Sequence, residues 1–162
     1  MTIEDRVEAL ERRVRALEDH VAILNLLARY GPTVDAGASA AAAALFTGSG
    51  AYDVGGMWRA DGREALTALF DGETHQSLIR TGSAHVTTAP AIEVDGDTAR
   101  AVAHSFVLLR AEDGYRVWRA SANHWRLHRT PQGWRIAERY NRELDGSAEA
   151  RAILARAVTE GA

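Results

Sequence analysis

Residues 99–140 read ARAVAHSFVLLRAEDGYRVWRASANHWRLHRTPQGWRIAERY. The segment holds three stretches rich in Val, Leu, Phe and Trp, separated by polar runs at 111–114 and 130–133 that each end in Gly. Such runs are typical of hairpin turns, because Gly adopts the backbone conformations that tight turns require. The sequence therefore predicts three antiparallel strands, over 99–110, over 115–129 and from Trp134 onward.

Each of the first two strands carries an alternating set of apolar and polar side chains. Successive side chains of a strand point to opposite faces, so every second residue shares a face. A face that mixes large apolar groups with a few His, Ser and Asn side chains suits a pocket better than a dry core. We therefore expect this sheet to be the wall of a small-molecule site. The two sets are His104, Phe106, Leu108 and Arg110, and Ser121, Asn123, Trp125 and Leu127.

Composition limits the classes of function. The chain has 162 residues, which favours a single domain, and its formal net charge of −3 with dispersed basic residues argues against nucleic-acid or membrane partners. Cysteine is absent, which excludes disulfides, thiolate metal sites and a cysteine nucleophile. Neither a long apolar run nor a leader-like segment is present, so we expect a cytoplasmic protein.

The first thirty residues predict a long helix with one apolar stripe. Its members recur at alternating spacings of three and four, which is the helical period. The first part, 1–20, either projects as a helical arm, lies across a partner subunit, or packs on the chain's own sheet. Pro32, after Gly31, interrupts the helix. The stripe consists of Val7, Leu10, Val14, Leu17, Val21 and Leu24.

Short helices precede the hairpin strands, and one helix follows them. Helices that come before a run of hairpins indicate an α+β fold in which helices cover one face of a curved antiparallel sheet, here as a single domain over 1–162. The expected pieces are an Ala-rich helix at 38–46, a strand at 51–54, a helix at 63–70, a loop or short helix at 72–82, a strand at 84–94 broken by Pro90, and an amphipathic helix within 146–162.

Several motifs resemble one protein family. They are Tyr30 and Asp35, the Gly-Gly-Met-Trp loop at 55–58, His85, Val-Asp-Gly-Asp at 94–97 and Gly-Trp-Arg-Ile at 133–136. Over residues 5–145 the chain resembles the SnoaL-like group of the NTF2-like superfamily, which implies a cone-shaped α+β fold. The scytalone dehydratase, bile-acid 7α-dehydratase and lindane dehydrochlorinase of this group pair a His with an Asp from the first helical region. The resemblance places these roles on His85 and Asp35.

The resemblance also implies roles for other residues. Tyr30 stands five residues before Asp35, as a Tyr does in the bile-acid dehydratase, and Ser121-Ala122-Asn123 matches a pocket-lining run of scytalone dehydratase. Two departures disfavour a scytalone-type substrate: Arg110 stands where that enzyme has its second catalytic His, and Val34 stands in place of a Tyr. Homo-oligomers are implied as well, with a trimer favoured and a dimer as the other option.

Proton-transfer chemistry explains why these residue types belong together. A neutral imidazole is suited to taking a proton from carbon and returning it to a leaving group, and a carboxylate such as Asp35 orients it. Tyr30 and Asn123 can donate hydrogen bonds to a developing oxyanion. We therefore expect a lyase of the dehydratase type, with no cofactor and no metal, acting on a hydrophobic polycyclic, aromatic or terpenoid-like molecule. The expected apolar walls are Trp58, Phe106, Leu108, Trp118 and Trp125.

Two other functions fit the same sequence. An isomerase or a polyketide-type cyclase would share the first proton transfer, and a ligand-binding or assembly module would need no catalysis at all. Asp35 could then be a simple turn residue and His85 a structural histidine. The remaining histidines, His20, His75, His124 and His128, are expected at the surface, while His104 is a weaker pocket candidate.

Overall fold

A computed structural model describes residues 1–157 of the chain, folded as six helices and seven strands. The helices are α1 (Ile3–Ala28), α2 (Tyr30–Asp35), α3 (Ser39–Ala44), α4 (Gly62–Asp71), α5 (Glu73–Thr81) and α6 (Ala148–Ala155). The strands are β1 (Phe46–Val54), β2 (Trp58–Asp61), β3 (Ser83–Thr87), β4 (Ala91–Asp95), β5 (Thr98–Ala111), β6 (Gly114–Thr130) and β7 (Gly133–Glu143).

All seven strands form one sheet, in the order β2-β1-β7-β6-β5-β3, with β4 also paired to β5. Neighbouring strands are antiparallel except β1 and β7, which run parallel. The long strands β5, β6 and β7 form its centre, as the hairpin pattern predicts. Irregular pairing at Val107/Leu108 and at Arg126/Leu127 marks bulges, which bend a sheet. The predicted α+β fold is confirmed.

The inner face of the sheet carries the main core. Trp125, Leu127 and Ile136 lie there, fully buried, together with Ile23 of α1 and Leu66 of α4. On the outer face, Ala122 packs against Ala150 and Ile153 of α6. The predicted C-terminal helix is therefore present from Ala148 to Ala155, and its expected continuation over 158–162 lies outside the described residues.

Only the second part of α1 is attached to the domain. Asp19 accepts two hydrogen bonds from the Arg129 guanidinium, at 2.6 and 2.7 Å, and one from Nε1 of Trp134 at 3.0 Å. Ile23, Leu26 and Leu27 follow and are buried. Residues 1–18 are almost all exposed, so the stripe does not pack on the chain's own sheet. None of the helices within residues 1–157 is long and apolar enough to cross a membrane.

Candidate active site

The site forms where α2 meets β3. Gly31 lets the two elements approach closely, since a Cβ atom added to Gly31 would lie 2.1 Å from the carbonyl oxygen of His85. Pro32 sits in the first turn of α2, where its missing N–H removes no hydrogen bond within that helix. Asp35 ends α2 and His85 lies in the middle of β3. The predicted break at Gly31-Pro32 is displaced: α1 already ends at Ala28, α2 begins at Tyr30 and includes both residues, and α2 brings Asp35 to the sheet.

Asp35 and His85 are in direct contact. The distance between Nδ1 of His85 and Oδ1 of Asp35 is 2.6 Å, and Oδ2 of Asp35 accepts the backbone N–H of His85 at 2.7 Å. The Ser83 hydroxyl donates to Oδ1 at 2.9 Å. Because a carboxylate accepts hydrogen bonds, a neutral His85 carries its proton on Nδ1 and leaves Nε2 with a lone pair. The arrangement fixes both the tautomer and the orientation of the ring.

The environment of His85 favours the neutral form of its ring. Burial lowers the pKa of His85 below the ordinary 6.5, and the nearby charges of His75 and Arg139 act in the same direction. Asp35 opposes this change without reversing it. A base must be unprotonated to accept a proton, so this imidazole is available as a base at neutral pH.

His85 lines a cavity between the helices and the inner face of the sheet. The cavity has a volume of about 90 Å³ and is partly open to solvent. Two tryptophans, Trp58 and Trp118, are both more than 40% exposed, so they form its outer rim. The other lining residues are Tyr30, Tyr52, Val54, Leu69, Phe70, Thr74, His75, Leu78 and Arg119.

Tyr30 lies inside the site rather than at a helix surface. Its ring packs edge-on against Phe70, with centroids 6.1 Å apart, and it borders both this cavity and a smaller one next to it. Burial raises the pKa of Tyr30 far above its usual value, although the positive charge of Arg139 opposes the effect. The phenol therefore keeps its proton and can act as a hydrogen-bond donor.

Arg139 of β7 is a site residue that the sequence analysis missed. Its guanidinium carbon lies 4.1 Å from the ring centroid of Tyr30, 4.6 Å from that of Tyr52 and 5.4 Å from that of Trp125. The side chain is buried, and its Nη1 atom has no hydrogen-bond partner among the described residues. Arg139 also lines the smaller cavity, together with His85 and Tyr30. A buried cation held by aromatic rings instead of a carboxylate leaves its charge available to a ligand.

Asn123 and Ser121 lie behind the cavity wall, which corrects their expected place in it. Asn123 is fully buried, and its Oδ1 accepts hydrogen bonds from Nε and Nη2 of Arg139 at 3.1 and 2.8 Å. Its Nδ2 donates to the Ser105 hydroxyl at 2.7 Å. Ser121 is buried and borders neither cavity. In place of binding an oxygen of the substrate, Asn123 positions Arg139.

The predicted face of β5 is also corrected. His104 is exposed and lies opposite Ala122, which packs on α6, so it points to the outer face. Leu108 follows four residues on and lines neither cavity, while Phe106 borders only the smaller one. Alternation gives two sets of residues but does not say which set faces the helices. The inner face instead carries small residues, Ala101, Ala103 and Ser105, which leave room for larger groups from β6 and β7.

Three further candidates occupy different places. Trp58 lines the cavity at its rim, as expected. Trp125 is buried on the inner face beneath Arg139 and belongs to the core, not the cavity lining. Arg110 is exposed near the end of β5, where its guanidinium carbon lies 5.6 Å from the Tyr115 ring centroid, away from the cavity.

Two histidines expected at the surface are not there. His75 of α5 lines the cavity; its ring centroid is 5.4 Å from that of His85, and its Nε2 lies 3.3 Å from the carbonyl oxygen of Val34. The helical spacing of His75 with Leu78 and Ile79 is a signal that would have placed it on a packed face. His124 is buried on the outer face, and burial lowers its pKa to about 4. Within residues 1–157, no three His, Asp or Glu side chains form a cluster that could hold a metal ion.

Comparisons with known proteins agree with this architecture. A family model for the SnoaL-like domain matches residues 15–140. An NTF2-like protein with a cystatin-like fold from Novosphingobium aromaticivorans is 46% identical, with a TM-score of 0.87 over 90% of this chain and 94% of that chain. A Mycobacterium tuberculosis protein of unknown function is 28% identical, with a TM-score of 0.71 over 93% of this chain and 90% of that chain.

A more distant structure shares the fold. A protein from Catenulispora acidiphila, solved in complex with S-DNPA, is 24% identical, with a TM-score of 0.69 over 86% of this chain and 98% of that chain. No functionally curated protein gives a significant match.

Proposed function

The chain belongs to the SnoaL-like domain family of the NTF2-like superfamily, which includes small-molecule dehydratases, isomerases and cyclases, and from this premise we propose that it is a lyase of the dehydratase type. The proposed reaction is a β-elimination on a hydrophobic cyclic molecule that carries a carbonyl group. His85 performs the proton transfers, Asp35 orients it, and the reaction requires no cofactor.

One observation carries the proposal: a carboxylate-oriented imidazole lines a mostly apolar cavity that opens to solvent at one side. The 2.6 Å contact between Asp35 and His85 reserves Nδ1 for the carboxylate, so Nε2 is the atom left to react. Burial lowers the pKa of His85, which keeps that atom unprotonated. Apolar walls lower the local dielectric constant, and electrostatic interactions are stronger in such a site.

The elimination would proceed by one proton cycle. Nε2 of His85 takes the proton from the carbon next to the carbonyl, and the electrons of that C–H bond form a carbon–carbon double bond. The bond between the β-carbon and its oxygen breaks, and the imidazolium returns the proton to the departing hydroxyl group as water. Asp35 stabilises the imidazolium that forms.

Arg139 and Tyr30 would stabilise the negative charge that develops on the carbonyl oxygen. Arg139 offers the unpartnered Nη1 atom, and Tyr30 offers a phenol that keeps its proton. Both residues line the smaller cavity beside His85. Removing one such donor typically slows a reaction by about 10²–10³-fold. Asn123 would contribute indirectly by holding Arg139.

The cavity lining supports a ring-shaped substrate. Trp58 and Trp118 at the rim and Phe70 inside offer flat apolar surfaces that suit fused or aromatic rings. His75 lies beside His85 in the lining, with ring centroids 5.4 Å apart, so the carbonyl of the substrate would enter first. A bicyclic ketone fits this division between an apolar rim and a polar end.

Deuterium exchange tests the shared first step. The purified protein is incubated in D₂O with a panel of cyclic ketones that includes 1-tetralone, and exchange next to the carbonyl is followed by NMR. We expect the wild-type protein to accelerate exchange, the His85→Gln variant to lose that acceleration and the Asp35→Asn variant to keep only part of it. His104→Gln is the matched control, because His104 is exposed on the outer face, and it should exchange like the wild type.

A β-hydroxy ketone separates the three functions. With 3-hydroxy-1-tetralone, a lyase releases one water, which mass spectrometry detects. Exchange without loss of mass from any β-hydroxy ketone of the panel would favour the isomerase or cyclase. Wild-type exchange no faster than that of His85→Gln, with ligands nevertheless retained by the protein, would favour the non-catalytic binding module.

A further inference from the structure

The apolar stripe of α1 is exposed along its whole length. Its residues, from Ile3 to Leu24, are between 39% and 79% exposed. Contiguous apolar patches of this kind are uncommon on monomeric proteins and mark interaction surfaces. Ile3, seven residues before Leu10, extends the stripe of Val7, Leu10, Val14, Leu17, Val21 and Leu24 at its N-terminal end.

This exposure does not result from a detached helix. α1 is attached to the domain by a different face, through Asp19, Ile23, Leu26 and Leu27. The bidentate contact of Asp19 with Arg129 fixes the helix against the turn between β6 and β7. The stripe therefore points away from the chain's own core because of how the helix is fastened.

The stripe has the composition of a two-stranded coiled coil. Val7, Val14 and Val21 occupy one of the two heptad positions, and Leu10, Leu17 and Leu24 occupy the other. β-Branched residues at the first position with Leu at the second favour parallel pairs of helices over higher assemblies. A surface helix that packs on a sheet needs no such division between Val and Leu.

The charges beside the stripe determine the direction of pairing. One flank carries Glu4, Glu11 and Glu18, and the other carries Arg6, Arg13 and His20. In a parallel pair, the second flank of one helix faces the first flank of the other, five residues further along. Arg6 of one copy would then lie opposite Glu11 of the other, and Arg13 opposite Glu18. An antiparallel pair would place each flank against its own kind, with like charges opposed.

We infer that α1 pairs with α1 of a second copy of this chain in a parallel two-stranded coiled coil. The apolar seam and both rows of opposite charge are satisfied by a second copy and need no other protein. The pairing is independent of the cavity, since no stripe residue lines it. If copies of the chain also associate through their sheets, that second contact would join coiled-coil pairs into a larger assembly and would not take the place of the pairing.

Solution mass measures the pairing. We expect the wild-type chain to have twice the mass of a Leu10→Glu/Leu17→Glu variant in light scattering after size exclusion. Ala16→Glu is the control, because Ala16 lies outside the seam on the same helix, and it should keep the wild-type mass. A circular-dichroism melt of each variant shows that the domain remains folded. An unchanged mass, or a threefold change, would overturn the inference.

Cross-linking tests the direction. The chain contains no cysteine, so a single Ile3→Cys substitution gives one unique thiol. In a parallel pair the two thiols meet, and mild oxidation should join most of the chains as disulfide-linked dimers. In an antiparallel pair they would be about 30 Å apart over the length of the stripe, at 1.5 Å per residue, and no disulfide would form. Arg12→Cys, outside the seam, should stay unlinked, and equal linking of both variants would also count against the pairing.

Discussion

Two arginine sites in this molecule, one partly exposed and one buried, are built in opposite ways. At the base of α1, Arg129 meets the carboxylate of Asp19 in a bidentate contact and Trp134 completes the set. At the cavity, Arg139 meets three aromatic rings and one amide oxygen, and its Nη1 has no partner among the described residues. The first site is saturated and fastens two elements together. The second leaves a positive charge beside an imidazole, and such a charge can bind a ligand.

The largest expected effect is at His85, which lies beside Arg139 in the second of these sites. Replacing His85 with Gln removes the base while keeping a polar side chain of similar size, so exchange of an accepted ketone should fall by about 10³-fold. Because His104 is exposed on the outer face, His104→Gln should leave the rate unchanged. Equal rates in the two variants would mean that the cavity is not where the chemistry occurs.

Replacing Arg129 or Arg139 with Met separates the attachment of α1 from the chemistry of the cavity. Arg139→Met should slow exchange by about 10²-fold, because a charge that stabilises the oxyanion is lost. Arg129→Met should leave exchange nearly intact and lower the free energy of unfolding by about 2 kcal/mol, because Asp19 is left buried without its cation. That figure allows for Arg129 being one third exposed, at 34% of its side chain. Urea unfolding measures the stability of both variants, and NMR measures their exchange rates. Slow exchange in Arg129→Met with normal exchange in Arg139→Met would contradict the assigned roles.

Gly31→Ala tests how the cavity site is positioned. The added methyl group would lie 2.1 Å from the carbonyl oxygen of His85, so α2 must move away from β3. We expect a loss of about 1–3 kcal/mol in the free energy of unfolding, which is typical of overpacking, and slower exchange because Asp35 retreats with α2. The control is Gly48→Ala, where an added Cβ meets nothing within 4 Å. Full activity in Gly31→Ala would show that the close approach is not needed.

The pH dependence follows from the lowered pKa of His85. A base whose pKa lies below 6.5 stays active as the pH falls through 6.5, and activity is lost only when the imidazole takes up a proton at lower pH. Asp35 raises this pKa, so Asp35→Asn should move the acid limb to still lower pH as well as reduce the rate. Rate profiles between neutral and acidic pH measure the acid limb of the wild type and that of the Asp35→Asn variant. An acid limb above 6.5 in the wild type would contradict the proposed environment.

The smallest expected effect on activity concerns His124, on the outer face. Its pKa in the folded chain is about 4, against 6.5 in the unfolded chain, so only the unfolded chain binds a proton between these values. Stability should therefore fall as the pH drops from 6.5 towards 4. A His124→Gln variant should show a shallower fall in urea unfolding, and an identical slope would argue against a buried neutral histidine.

Local pattern was sufficient for much of this fold. The hairpin turns and the stripe of α1 are written in neighbouring residues, and the structure places them as expected. The helix break predicted at Gly31-Pro32 lies instead at Arg29. The contact between Asp35 and His85 could be anticipated only through family resemblance, because fifty positions separate the two residues. Which face of β5 turns inward depends on the small residues opposite β6, and alternation alone does not encode that choice.

The missed residues share one cause. Arg139 sits in a strand among other basic residues and looks like a solvent-facing position until β1, α2 and β6 bring Tyr52, Tyr30 and Trp125 around it. His75 is likewise assigned to the cavity by the packing of α5, not by its own neighbours. Their surroundings are assembled from distant segments, so the sequence alone does not reveal them.

Nitrogen NMR of the histidine rings tests the central claim most directly, because it needs no substrate. With the signal of His85 assigned from the His85→Gln spectrum, we predict a neutral ring at pH 7 with the proton on Nδ1 and a bare Nε2, and a pKa below 6.5. A ring that is positively charged at pH 7, or one with its proton on Nε2, would contradict the account.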